Sequence, residues 1–237
     1  TDTVDAGPDQ TICAGESVQL NATGGVNFSW TPTTSLSNPN IFNPVATPSL
    51  TTEYVVQAAS ADGCTSADTV VVNVSPTQFS ISNDTTICIG DTVQISASGG
   101  NQYLWLPNSD ISDVTVSDPL VSPSASQTYV VEVEDANGCE FLDSILVSVQ
   151  PLPTAFAGFD QGVCAGSGAQ LNATGGVTYE WTPTVGLSNP NISNPVVTFS
   201  SDTATYTVLV TDNTGCENTD TVTVWQEPLP DAQAGPD

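Results

Sequence analysis

The chain has 237 residues, 26 of them acidic, and contains no Lys, Arg, His or Met, so its formal charge is −26. Without a cation it has nothing to neutralise phosphates, which excludes nucleic acid and anionic membrane surfaces as partners. The same absence removes imidazole bases, Ser-His-Asp triads, His-ligated metals and lysine Schiff bases.

The hydrophobic fraction of 38% is too high for a chain kept disordered by charge. Val18, Leu20 and Ala22 alternate with Gln19 and Asn21, the period of a half-buried strand, and Val93, Ile95 and Ala97 repeat it. The Gly24-Gly25 pair that follows predicts a hairpin turn. Phe28 and Trp30 then share one face of a strand, as do Tyr103 with Trp105 and Tyr179 with Trp181. Residues 36–41, Leu-Ser-Asn-Pro-Asn-Ile, recur as 187–192 and predict an ordered loop with Asn-Pro turns. Strands carrying Tyr54, Tyr129 and Tyr206 come next, then turns at 61–63, 135–138 and 212–215. The last strands alternate Val70, Val72, Val74 and Ile145, Val147, Val149. No segment carries a helical period, and short strands with frequent turn signals fit a β-sandwich.

These elements occur three times. Cys13, Trp30 and Cys64 form one set, Cys88, Trp105 and Cys139 the second, and Cys164, Trp181 and Cys216 the third. The Cys-to-Trp step is 17 in each, and the Trp-to-Cys step is 34, 34 and 35. Such a period means tandem modules, here of about 75 residues, assigned to 1–76, 77–151 and 152–228, with 229–237 opening a further one. Proline-bearing borders at Pro76, Pro151 with Pro153, and Pro228 with Pro230 read as semi-rigid linkers. Thr1–Val4 matches Thr219–Val222, and Ala234–Asp237 matches Ala6–Asp9, so the array is expected to continue as part of a larger secreted protein. Trp225, where Asn73 and Ser148 stand in the other modules, faces away from Val222 and Val224 and reads as packing at a strand edge or the next module.

Six cysteines in matched pairs point to an oxidising compartment. The even intervals of 51, 51 and 52 predict one staple per module: Cys13–Cys64, Cys88–Cys139 and Cys164–Cys216. Pairing between modules, such as Cys64 with Cys88, is the alternative, and it would break the repeat logic at the ends. Two thiolates per module and no His argue against zinc. Calcium is the possible cofactor, through Asp9, Asp62 and Asp68 in the first module, Asp135, Asn137 and Asp143 in the second, and Asp212, Asn213 and Asp220 in the third. The competing role for these residues is turn formation. The glutamates form no constellation shared across modules, so no enzyme is expected.

The phrases at 6–18, 181–192 and 135–139 closely resemble the PKD/Ig-like repeats of Bacteroidota cell-surface proteins, found in gliding-motility-type adhesins and other type IX secretion substrates. The likeness covers essentially the whole chain. It implies an extracellular all-β array of tandem Ig-like or PKD-like sandwiches, cell-surface attached or secreted. The second module departs at Asn108–Asp113, which predicts a loop of different shape. The resemblance also implies O-glycosylation at Ser or Thr following Asp, with Thr3, Thr69, Thr85, Thr92, Ser144, Thr203 and Thr221 as acceptors. The expected function is a non-catalytic stalk or filament of a large surface adhesin. Its expected partners are neighbouring repeats of the same long chain, laterally associated copies and surface polysaccharide. The alternative is a polysaccharide-binding or spacer module of a secreted hydrolase, which predicts an exposed aromatic platform in every repeat.

Overall fold

The computed structural model describes residues 3–75, 78–198 and 202–228. The expected start of a further repeat at 229–237 and the border prolines Pro76 and Pro230 lie outside the described residues. The chain is all-β, with no helix among the described residues. Its contacts divide it into two compact units: Thr1–Asn83 with Gln94–Val121 and Thr128–Ile145, and Asp84–Val93 with Ser122–Gln127 and Leu146–Asp237.

The first repeat lies wholly in the first unit. It has strands β1 (Gln10–Cys13), β2 (Val18–Gln19), β3 (Asn27–Thr31), β4 (Val45–Ala46), β5 (Thr52–Ala59) and β6 (Thr65–Ser75). One sheet runs β1-β6-β5-β3, and β2 pairs with β4 in the other. Trp30 lies opposite Val56 across β3 and β5, and Tyr54 opposite Val70 across β5 and β6. These inward side chains meet Leu20 and Ala46 from the small-sheet side in one core, where Trp30, Tyr54, Val56, Val72 and Ala46 are fully buried. This is the Ig-like sandwich arrangement, in which the strands equivalent to C, F and G share a sheet and B pairs with E. The departure is β1, which joins the large sheet parallel to β6, from Gln10↔Val72 to Cys13↔Ser75.

The expected hairpin at Gly24-Gly25 does not form. β2 and β3 belong to different sheets, so the glycines carry the chain from one to the other. Gly24 has φ +85, and a Cβ there would stand 2.3 Å from the Thr3 carbonyl oxygen. A Cβ on Gly25 would stand 2.6 Å from that of Ala58. The crossing is tight enough that only glycine fits it.

The second repeat contributes β7 (Ser80–Ile81), β8 (Thr85–Cys88), β9 (Val93–Gln94), β10 (Ala97–Ser98), β11 (Gln102–Leu106), β12 (Leu120–Val121), β13 (Gln127–Glu134) and β14 (Glu140–Gln150). In the first unit β11 pairs antiparallel with β13, placing Trp105 opposite Val131. In the second unit β8 runs parallel to the end of β14, from Thr85↔Val147 to Cys88↔Gln150. The third repeat lies in the second unit with β15 (Gln161–Cys164), β16 (Ala169–Gln170), β17 (Thr178–Thr182), β18 (Val196–Val197), β19 (Thr203–Thr211) and β20 (Glu217–Glu227). Its large sheet is β15-β20-β19-β17 and its small one β16-β18, the order of the first repeat.

The loop after each tryptophan keeps one shape. Trp30, Trp105 and Trp181 each donate the indole N–H to a carbonyl eleven residues on, at Ile41, Val116 and Ile192, at 2.9, 2.9 and 3.0 Å. Their main-chain N–H groups bond Pro39, Val114 and Pro190. Asn38 and Asn189 each accept a turn hydrogen bond, and Asp113 does the same at 2.8 Å from Thr115 N–H. The different shape expected for the second module's loop is therefore corrected. Backbone bonds to the buried indole set the path, and a carboxylate replaces the Asn carbonyl without loss.

Candidate functional site at the repeat junctions

Each repeat's last strand separates its two cysteines. Cys13 lies opposite Ser75, the final residue of β6, whereas Cys64 immediately precedes Thr65, the first. Eleven strand steps at about 3.3 Å put them roughly 36 Å apart along the sheet. A disulfide requires Cα atoms within about 7 Å. Cys88 likewise lies opposite Gln150 at one end of β14 with Cys139 before the other. Cys164 lies opposite Glu227 at one end of β20 with Cys216 before the other. The expected staples Cys13–Cys64, Cys88–Cys139 and Cys164–Cys216 are thus overturned.

The bridges instead join consecutive repeats. Cys13 bonds Cys139 within the first unit, and Cys88 bonds Cys216 within the second, each with Cα atoms 5.6 Å apart. Cys64 and Cys164 are free and exposed. The pairing rule is the first cysteine of one repeat with the second cysteine of the next. Parallel pairing of β1 with β6 causes it, because that direction carries the first cysteine to the end of the sheet where the next repeat begins.

Hydrogen bonds surround the first bridge. Ser75, a buried hydroxyl, donates to Asp135 Oδ2 at 2.5 Å, and Asn137 Nδ2 donates to Ser75 Oγ at 3.0 Å. Asp135 Oδ1 accepts from Cys139 N–H at 2.9 Å and Asn137 N–H at 2.8 Å. The Ser75 hydroxyl first, then the Cys139 N–H, hold the Asp135 carboxyl below the ordinary carboxylate value. At the second bridge Asp212 accepts from Thr214 Oγ1 at 2.6 Å and from Cys216 N–H at 3.0 Å. There the Thr214 hydroxyl is the first cause of a lowered carboxyl. In a chain without cations, amide and hydroxyl donors take over the stabilisation of carboxylates.

The calcium candidates are spread over such tasks. Asp9 accepts from Val71 N–H and Asp68 from Ala6 N–H, both at 2.8 Å. Asp62 is in the exposed β5–β6 turn, away from both. Asp143 bonds Ser144 N–H, and Asp220 bonds Ala157 N–H. Among the described residues no three His, Cys, Asp or Glu side chains come together to hold a metal. The Ala6 N–H is the first cause of a lowered Asp68 carboxyl. Among the glycan acceptors, Thr3, Thr69, Thr92, Ser144, Thr203 and Thr221 are exposed and Thr85 is half-buried. Thr69, Ser144 and Thr221 occupy the same place on β6, β14 and β20.

Of the aromatics at repeated positions, Trp30, Trp105, Trp181, Tyr54 and Tyr129 are fully buried, Tyr206 is nearly so, and Phe28, Tyr103 and Tyr179 are half-buried. Burial pushes the Tyr129 and Tyr206 hydroxyls up. Trp225 lies opposite Gly162 and donates to Glu227 Oε1 at 2.6 Å. A Cβ at Gly162 would stand 2.7 Å from its indole nitrogen, so the glycine on edge strand β15 leaves room for a ring carried by the inner strand β20. One exposed aromatic feature escaped the sequence reading. Phe156 and Phe159 meet edge to face at 5.2 Å, Phe159 is 83% exposed, and a groove of about 410 Å³ beside them carries Gln161, Gln170 and Asn172. Asp5 with Pro8 and Ser80 with Asn83 hold these places in the other repeats, so the pair is particular to the third. That substitution of two phenylalanines for polar residues and proline was its only signal.

No helix among the described residues is long and apolar enough to cross a membrane. No family model matches the sequence, and no curated protein does. Solved structures that the chain matches include an I-band fragment of titin, 14% identical over 94% of this chain and 98% of that one, with a TM-score of 0.42. Another is the eight N-terminal Ig domains of Down Syndrome Cell Adhesion Molecule, 17% identical over 94% of this chain and 36% of that one, with a TM-score of 0.41. A third is a set of four protocadherin extracellular domains, 13% identical over 92% and 74%, with a TM-score of 0.32.

Proposed function

We propose that the chain is a non-catalytic, extracellular array of Ig-like repeats serving as a stalk or filament of a large cell-surface adhesin. The observation that carries this reading is the bridge from each repeat to the next. Disulfides belong outside the reducing cytosol. A covalent link parallel to a proline-bearing linker is what a load-bearing stalk needs and a catalytic domain does not. The assignment to gliding-motility-type adhesins and type IX substrates draws support from the phrases at 6–18, 181–192 and 135–139. The equivalent, exposed acceptors Thr69, Ser144 and Thr221 support a glycan-coated surface. The acidic surface suits spacing between filaments through mutual repulsion.

Force extension tests the reading. Between Cys13 and Cys216 lie 203 residues of chain, but the shortest covalent route crosses to Cys139, returns through the 51-residue interval to Cys88, and crosses to Cys216. At about 3.5 Å per residue this route extends to about 190 Å rather than about 710 Å. Single-molecule pulling should find the short limit, and dithiothreitol should release the long one. The long limit without reductant would refute the load-bearing array.

A second reading, a polysaccharide-binding module of a secreted hydrolase, has one observation in its favour, the Phe156–Phe159 groove with its amide side chains. Stacking on aromatic rings flanked by amides suits sugars. Titration of soluble polysaccharides against F159A and the unaltered chain separates the two, since only the binding reading expects loss of affinity.

A further inference from the structure

We propose that Cys64 and Cys164 are complementary open halves of the inter-repeat bridge, and that each takes the cysteine of an adjoining repeat of the same kind. The inference rests on the array reading and names its connector. Cys64 is the positional equivalent of Cys139 and Cys216, and Cys164 of Cys13 and Cys88, all four of which are bonded. The second cysteine of one repeat always meets the first cysteine of the repeat before it. Three repeats joined in this way leave one second cysteine and one first cysteine over.

Burial tells the same story. Cys139 and Cys216 are each 1% exposed beneath the bond to the preceding repeat, whereas their equivalent Cys64 is exposed. The backbone around the free thiols is already that of the bonded ones. Ser60 N–H bonds the Cys64 carbonyl at 2.8 Å, as Asp135 and Asp212 bond those of Cys139 and Cys216 at 2.9 and 3.0 Å. Ser167 N–H bonds the Cys164 carbonyl at 2.9 Å, as Glu16 and Asp91 bond those of Cys13 and Cys88 at 3.0 Å.

One chemical difference favours joining. Each bonded cysteine has a carboxylate on its own N–H: Glu16, Asp91, Asp135 and Asp212. Serine replaces it at both open ends, as Ser60 and Ser167. A Cys164–Cys64 junction would thus bring together two fewer like charges than the internal ones, which matters in a chain of charge −26.

The step is thiol–disulfide exchange with a small-molecule disulfide as oxidant. The Cys164 thiolate attacks one sulfur of that disulfide, forming a mixed disulfide and releasing one thiolate. The Cys64 thiolate of the adjoining repeat attacks the Cys164 sulfur and releases the second. Two protein thiols and one disulfide give one bridge and two small thiols, which keep the protons.

The test supplies the adjoining repeat as a second copy of this chain. The purified 237-residue protein is incubated in a buffer of oxidised and reduced glutathione, resolved on non-reducing gels and digested with pepsin for mass spectrometry. The expected result is a ladder of multimers dissolved by dithiothreitol, with Cys164–Cys64 peptides in large excess over Cys64–Cys64 and Cys164–Cys164. The variants C64S and C164S should each abolish the ladder beyond dimers. Glutathione adducts without a ladder, or like-with-like links at their statistical share, would overturn the inference. The same digest reports Cys13–Cys139 and Cys88–Cys216. If these persist while the ladder fails, only the connector idea falls. If they too are missing, the array reading falls with it.

Discussion

The two junctions share a disulfide and the Asp-anchored turn that presents it, and differ in what the end of the preceding repeat adds. At the first, the Cys13–Cys139 bond is accompanied by a polar weld in which Ser75, from the end of one repeat, sits between Asp135 and Asn137 of the next. At the second, Gln150 holds the place of Ser75, and Asp212 turns inward to Thr214 beside the Cys88–Cys216 bond. What repeats in both is the bridge and the turn that presents it. What varies is the contact made by the end of the preceding repeat, so the bridge and its turn are the invariant part of the connector and the Ser75 weld an adjustment to one joint.

Removing sulfur should have the largest effect and the same effect at either joint. C13S and C88S open loops spanning 126 and 128 residues. The chain-entropy relation puts each loss at about 4–5 kcal/mol, read as matched falls in the midpoint of denaturant unfolding. A clear inequality would show that the two bridges do different jobs. Next comes the core. W30A and W105A should each cost roughly 3–5 kcal/mol, alike in spite of the differing loop sequences, because both rings are fully buried and bond the carbonyl eleven residues on.

The smallest effect belongs to the weld. S75A should lower Tm by about 3 °C at neutral pH, whereas Q150A should leave it unchanged. The Ser75 contribution depends on an ionised Asp135, whose carboxyl is lowered in the fold. A depressed carboxyl stabilises fully above the unfolded value of about 3.9 and loses that contribution as pH falls through the folded one. The difference in Tm between S75A and the unaltered chain should therefore shrink on acidification below that range. A difference that persists in acid would assign the effect to packing instead.

Much of this was legible in residues. The alternation of Val70 and Val72, the Trp at fixed steps from Cys, and the Tyr on the following strand all become one buried face. The partner of each cysteine was not legible, for a physical reason. Intervals of 51, 51 and 52 within repeats are no more regular than the 126 and 128 between them. Only the parallel direction of β1 on β6 decides between these, and a four-residue strand carries no mark of its direction. The Gly24-Gly25 pair misled in the same way, since a hairpin and a crossing between sheets ask for the same residues. The loop at Asn108–Asp113 kept its shape because main-chain bonds to Trp105 hold it, and those leave no trace in the side chains of the loop.

The sulfur connectivity itself is the most direct test. The chain offers trypsin no Lys or Arg, and pepsin at low pH also suppresses exchange between thiols and disulfides. Peptic mapping of the non-reduced protein should return Cys13 linked to Cys139 and Cys88 linked to Cys216, with Cys64 and Cys164 open to alkylation. Peptides joining Cys13 to Cys64 or Cys88 to Cys139 would contradict it.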